Sequence, residues 1–190
     1  MRDAQLLSRR DFLAVTTAAV ALPAGLGVVR SLRAARREAS GDVTIVEFDD
    51  AGVRKSAVTV PKVIKTEAEW RAQLKNDLAF AVARRGGTER PFSGAYWNEH
   101  RKGLFRCVCC DTALFSSANK FDSGTGWPSY WQPIAEENVK HGKPSSGWTN
   151  SEVTCRRCDA HLGDLFDDGP RPTGLRYCID SVSLRFIPAE

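Results

Sequence analysis

The 190-residue chain has one methionine, at its first position, so a form processed beyond that point would contain none. That absence suits work among oxidants, although a short chain also reaches it by chance. Internal repeats and low-complexity tracts are missing, which excludes solenoids and compositionally biased tails. Only one segment carries apolar residues at helical spacing, so a helical bundle is excluded as well. Neither C-x-x-C pair sits in a β-α-β pattern, which argues against a thioredoxin-like disulfide oxidoreductase. A charge excess is also absent from most of the chain. The formal net charge of +4 resides in residues 1–40, which hold seven Arg/Lys against three Asp/Glu, and twenty of each sign remain in residues 41–190. With no interleaved basic and aromatic stripe, a nucleic-acid partner is not expected.

What is present begins with Ser8-Arg9-Arg10-Asp11-Phe12-Leu13, a twin-arginine pattern, then an uncharged run over 12–29 and a basic patch over 30–37. Pro23, Gly25 and Gly27 would break a folded helix there. The run is weakly apolar and at the lower limit for spanning a bilayer. The expectation is an export signal and linker over 1–40, an N-terminal extension over 41–65 and one domain over 66–190. Such a protein is exported, most simply to the periplasm, and stays membrane-anchored if the segment is not cleaved.

Residues 41–60 alternate weakly and predict a hairpin around Asp50-Ala51-Gly52. Thr66-Glu67-Ala68-Glu69 is a capping box, followed at helical spacing by Trp70, Leu74, Leu78 and Val82, which predicts one helix from about Glu67 to Arg85, stopped by Gly86-Gly87. After Pro91, short β-rich runs are cut by Gly, Pro, Asn and Asp. Strands are expected over 103–108, 112–115, 148–155, 162–166 and 177–186, the last with Val182, Leu184 and Phe186 on one face. The fold class is mainly β, an antiparallel core with one or two N-terminal helices packed outside it.

Six cysteines carry the chemistry. Cys107-x-x-Cys110 and Cys155-x-x-Cys158 are two knuckles spaced to close the four positions of one tetrahedral zinc ion. A site filled by four thiolates has no place for water, so one structural Zn2+ per chain is expected, stapling the sheet core. Disulfides are the alternative for an exported chain, but a C-x-x-C bridge closes too short a loop to constrain much. Cys109, inside the first knuckle, is a buried neighbour, a redox partner or an alternative ligand. Cys178 stands outside both pairs, two residues from Arg176 and downstream of His161. An unpaired thiol beside cationic groups is the outline of a thiol enzyme.

Several motifs fall in one order: Pro91-Phe92-Ser93-Gly94, Lys120-Phe121-Asp122-Ser123-Gly124, Gly126-Trp127-Pro128-Ser129, the two knuckles, His161-Leu162-Gly163, Asp168-Gly169-Pro170 and Pro172-Thr173-Gly174-Leu175-Arg176-Tyr177-Cys178. Together they resemble the B-type, R-stereospecific methionine sulfoxide reductases over roughly Thr66 to Phe186. The resemblance implies an enzyme that repairs oxidised proteins or peptides. Cys178 would be the nucleophile, Arg176 would favour its thiolate and Asp168 would hold Arg176. Trp127 would seat the methionine methyl group with Phe166 beside it, and attack would leave Cys178 as a sulfenic acid for a thioredoxin-like or other thiol reductant. A monomer is expected.

Three positions depart from that family pattern. Asp164 stands where a second histidine is usual, with Leu165 after it. Asp180 replaces an asparagine two residues beyond the nucleophile, and Thr125 replaces a recycling cysteine. His161 remains a candidate acid. Asp164 and Asp180, if close together, would share a proton and serve as the acid, while their charge would disfavour a thiolate at Cys178. The rival expectation is a non-catalytic zinc-containing binding module that uses the Trp127 pocket. Regeneration would come from an external dithiol or through Cys109.

Overall fold

The structure, a computed structural model, describes residues 41–144 and 151–189. The twin-arginine segment and positions 148–150 of an expected strand lie outside the described residues. The hairpin expected near Asp50 is present, with β1 (Asp42–Phe48) antiparallel to β2 (Arg54–Pro61). It forms a sheet of its own and docks through Ile45 and Val46, both buried. Asn138 fastens it: its Oδ1 accepts from Val46 N at 2.7 Å, and its Nδ2 donates to Val46 O at 2.9 Å and Ala113 O at 2.8 Å. A buried amide that spends three bonding positions on backbone is fully committed to this join.

The single helix expected over 67–85 is two, α1 (Glu67–Leu74) and α2 (Asp77–Arg85). The capping box forms as predicted, with Glu69 N donating to Thr66 Oγ1 at 3.3 Å and Thr66 N to Glu69 Oε2 at 2.6 Å. Lys75 then turns left-handed at φ 52°, and Asn76 starts the second helix by accepting from Ala79 N at 3.0 Å. The break changes the phase of the apolar stripe. Ala79, Phe80, Val82 and Ala83 are buried, whereas Leu78, expected on the inner face, is 47% exposed.

The remaining strands are β3 (Gly103–Cys107), β4 (Ala113–Ser116), β5 (Lys120–Phe121), β6 (Ser129–Tyr130), β7 (Val139–Pro144), β8 (Ser151–Cys155), β9 (His161–Phe166), β10 (Arg176–Ile179) and β11 (Leu184–Pro188). They make a six-stranded sheet ordered β5-β6-β10-β9-β8-β7 and a three-stranded sheet ordered β11-β3-β4, every pairing antiparallel. The fold is therefore mainly antiparallel β with two helices, as the patterning predicts. The long strand expected over 177–186 does not exist as one piece. It stops at Asp180, passes through a 3-10 turn at Ser181–Ser183 and resumes in the other sheet. Val182 lies in that turn, so Val182, Leu184 and Phe186 do not share a strand face.

An aromatic ladder joins the two sheets. Tyr130 stacks on Phe115 with centroids 4.4 Å apart, Phe105 meets Tyr130 edge-on at 5.4 Å, and Tyr177 lies 5.8 Å from Phe115. All four are buried to within about a hundredth of their surface, so this ladder is the centre of the core. Among the described residues no helix is long and apolar enough to cross a membrane.

Candidate active site

Strand pairing assembles the site. Cys178 on β10 lies opposite Ser129 on β6 and Asp164 on β9, and Asp164 lies opposite Glu152 on β8. Residues directly opposite in an antiparallel ladder share a face. One row across four strands thus carries hydroxyl, thiol and two carboxyls. The neighbouring row pairs Arg176 with Phe166. Gly163 makes the approach possible: its φ is 147°, and a Cβ there would overlap the carbonyl oxygen of Cys178 and the Cα of Ile179.

Arg176 is buried and forked onto Asp168, with Nε to Oδ1 at 2.7 Å and Nη2 to Oδ2 at 2.8 Å. Its guanidinium carbon stands 4.2 Å from the centre of the Phe166 ring. Asp168 therefore touches Arg176, as the resemblance implies, and Phe166 serves as the floor under that cation. The Arg176 pair holds the Asp168 carboxyl below the ordinary range.

At Cys178 the expected influences of Arg176 and the two carboxyls meet a larger one, burial. Burial pushes the thiol up. Arg176 and the Thr125 hydroxyl, whose Oγ1 is 4.0 Å from the sulfur, pull it down, while Asp180 and Asp164 push it further up. Burial wins, so the resting form at neutral pH is the thiol. Thr125 also opens a hydroxyl chain, since its Oγ1 lies 2.8 Å from Ser123 Oγ, which lies 2.7 Å from Ser129 Oγ.

Asp180 is 2% exposed, and burial pushes its carboxyl up to about 7, with the negative charges of Glu89 and Asp164 acting the same way. Its Oδ1 accepts from Glu89 N at 2.8 Å, and its Oδ2 lies 3.9 Å from His161 Nε2. The other ring nitrogen of His161, Nδ1, is 2.8 Å from Glu152 Oε1. His161 thus bridges two carboxyls and reaches the thiol's neighbourhood through Asp180. The charge of Asp164 opposes ionisation of Asp180, and both carboxyls push the Cys178 thiol up.

Trp127 stands half-buried on the loop between β5 and β6, its Nε1 donating to Glu89 O at 3.1 Å. The loop is pinned on both sides: Phe92 N donates to Gly126 O at 2.8 Å, and Ile179 N donates to Pro128 O at 2.9 Å. The second bond attaches the tryptophan loop to the strand that carries the thiol. Glu89 had no motif to mark it in the sequence, and neither did Glu152. Only the folded chain brings them to Asp180 and His161.

Cys107, Cys110, Cys155 and Cys158 converge with all four sulfurs within 4.8 Å of one another. Cys107 Sγ is 3.7 Å from Cys158 Sγ, and Cys110 Sγ is 3.5 Å from Cys155 Sγ. Four thiolates bound ~2.3 Å from one zinc ion stand about 3.8 Å apart along the edges of their tetrahedron, so the donor set fits that metal. A disulfide needs sulfurs about 2 Å apart, and all six cysteines are free. Side chains brace the knuckles from outside, Gln73 Nε2 to Cys109 O at 2.7 Å and Arg84 Nη1 to Cys158 O at 2.9 Å. Cys109 is 4% exposed and packs with Cys107 and Cys158.

The family model described as the SelR domain matches residues 75–188. Curated relatives are similar over most of their length. The chain is 57% identical over 126 residues to a protein of Herminiimonas arsenicoxydans, covering 66% of this chain and 91% of the relative. It is 53% identical over 130 residues to one of Pseudomonas entomophila (68% and 98%) and 49% over 134 residues to one of Agrobacterium fabrum (70% and 98%). All three relatives carry the name peptide methionine sulfoxide reductase MsrB.

Proposed function

The chain belongs to the SelR domain family, that of the MsrB peptide methionine sulfoxide reductases, and from this premise we propose that it reduces the R epimer of methionine sulfoxide in oxidised proteins or peptides. The observation that carries the reading is the thiol of Cys178, set in one row with Asp164 and beside Arg176, Asp180 and the Trp127 loop.

Trp127 supplies a flat apolar seat for the methyl group, with the S=O directed toward the polar row. The sulfur of Cys178 attacks the sulfoxide sulfur. The S–O bond breaks, the methionine sulfur gains two electrons and the cysteine sulfur loses them. Starting from the thiol, the balance is Cys–SH plus sulfoxide giving Cys–SOH plus methionine, with no net proton taken up. The thiol proton must leave as the departing oxygen gains one. Asp180, with a carboxyl near 7, is protonated in a useful fraction at neutral pH and serves as the acid with Asp164 beside it. His161 holds Asp180 from the far side and links it to Glu152. Two external thiols then reduce Cys–SOH to Cys–SH and water, becoming a disulfide themselves. Cys109, buried in its knuckle, takes no part in that step.

Cys107, Cys110, Cys155 and Cys158 would hold one Zn2+, which when bound supplies structural cross-linking and no reacting atom. The chain is exported through its twin-arginine segment, a reading checked by fractionating cells that express the Arg9→Lys, Arg10→Lys form. Retention of wild type and variant in the same compartment would refute it.

The decisive experiment is a single turnover with one equivalent of each epimer and no reductant. Methionine is expected from the R epimer alone, with one oxidised sulfur at Cys178, and Cys178→Ser yields none. Tight binding of sulfoxide with no methionine formed would leave the passive binding module as the correct description.

A further inference from the structure

Glu89 lies outside every catalytic motif read from the sequence, yet it is 2% exposed and all of its polar atoms are engaged. Its carboxylate accepts from Ser181 N at 2.6 Å through Oε1 and from Val182 N at 3.1 Å through Oε2. These donors open the 3-10 turn at Ser181–Ser183 that ends the nucleophile's strand. Its backbone N–H donates to Asp180 Oδ1 at 2.8 Å, and its backbone carbonyl accepts from Trp127 Nε1 at 3.1 Å. One residue therefore grips the aromatic seat, the buried carboxyl and the turn between them. Gly94 keeps the grip tight, because a Cβ there would overlap both Glu89 Oε1 and Ser181 Oγ.

We infer that Glu89 is a positioning residue for the reaction: it fixes Trp127 and Asp180 relative to each other and to Cys178. The inference rests on the roles given to Trp127 and Asp180 above. A buried carboxylate is costly unless hydrogen-bonded. A glutamate spent on two backbone N–H groups beside a second buried carboxyl therefore has a consequence beyond folding. Asp180 is faced by the Glu89 carboxylate from the loop after α2, by His161 and Asp164 from β9 and by Cys178 near the end of β10. Glu89 and Asp164 oppose its ionisation and His161 favours it. Neutralising Glu89 removes one opposing charge, so Asp180 gives up its proton at lower pH. An activity that needs protonated Asp180 then fails earlier as pH rises.

The test uses the zinc-loaded enzyme and follows kcat and KM for a dabsyl-methionine R-sulfoxide from pH 5 to 9, with Tm measured for each variant. For Glu89→Gln the alkaline limb of kcat moves to lower pH and kcat at pH 7.5 falls about tenfold. Glu89→Asp keeps the charge but withdraws it by one methylene from Ser181 and Val182. It lowers kcat and raises KM while the limb stays in place. If both variants lose Tm and rate alike with the wild-type pH profile, Glu89 is merely structural and the inference is wrong. If Glu89→Gln does not fold, Glu89→Asp decides alone, and unchanged kcat and KM overturn the inference. Asp180→Asn separates the two levels. Loss of the alkaline limb in Asp180→Asn with an unmoved limb in Glu89→Gln overturns Glu89 only, whereas a wild-type limb in Asp180→Asn overturns the role of Asp180 and this inference together.

Discussion

Cys178 lies near the end of β10 and Asp180 just past it, and the needs of the two groups conflict. In the proposed reaction the thiol attacks best when ionised and the acid works only when protonated, while each negative charge nearby pushes both groups up. Asp164 touches both sides of this conflict, which makes it the most informative single substitution. Asp164→Asn removes a charge that raises Cys178 and Asp180. The thiol should then be alkylated faster by iodoacetamide near pH 8, and the alkaline fall of kcat should begin at lower pH. A pH–rate profile superimposed on that of wild type would end the shared-acid reading. Thr125 supports a second prediction at this scale. Its hydroxyl is 4.0 Å from the Cys178 sulfur, so Thr125→Cys places a second thiol within a small rotation of disulfide distance. After one turnover that variant should lose two titratable thiols and turn over faster with thioredoxin. Cys109→Ser should leave thioredoxin-supported turnover within about twofold of wild type. A variant that still stops at a lone sulfenic acid would show that the loop holds position 125 away from attack.

At the scale of elements, the β9–β10 pair decides whether the site exists. Gly163 holds φ 147° against the backbone of Cys178, and a methyl group there must drive the strands apart. Gly163→Ala should cost roughly 2–4 kcal/mol and remove most activity, read by urea unfolding and by kcat on the same preparation. An alanine variant of unchanged stability would mean that the ladder tolerates a shift there. The same elements show what the sequence could and could not disclose. The capping box at Thr66, the hairpin near Asp50 and the knuckle spacings are local chemistry and were legible. Lys75-Asn76 was not, because Trp70, Leu74 and Leu78 keep helical spacing straight across the break. Nor was the stop at Asp180: apolar residues alternate through it, and what ends the strand is the distant Glu89 carboxylate. The strands Lys120–Phe121 and Ser129–Tyr130 are two residues each, too short for any alternation to register. In the site, Arg176, Asp168 and Trp127 were found by motif. The burial that holds the Cys178 thiol up against the pull of Arg176 is set by the packing of distant strands and has no local signature.

The whole molecule depends on how its two main sheets are joined. Cys107 ends a strand of the three-stranded sheet, and Cys155 ends a strand of the six-stranded sheet. The chain itself crosses between the sheets through the turn that Glu89 caps, close to Asp180. A metal at the knuckles would add a further tie to this crossing, to the β4–β5 crossing through Ser117–Asn119 and to the aromatic ladder. Removing such a metal would release four sulfurs, three of them on buried cysteines, and leave the two chain crossings and the aromatic ladder to hold the sheets in register. A metal bound there would also contribute its binding free energy directly to folding, because the unfolded chain has no such site. Stripping the metal with a mercurial and a chelator should lower Tm by at least about 10 °C and abolish turnover, with one zinc released per chain. Cys155→Ser should reproduce this, whereas Cys178→Ser should keep its zinc and its Tm while losing all activity. That contrast separates the cross-link from the chemistry: a metal-free chain that retained wild-type melting and rate would show that the aromatic ladder of Phe105, Phe115, Tyr130 and Tyr177 holds the sheets without it.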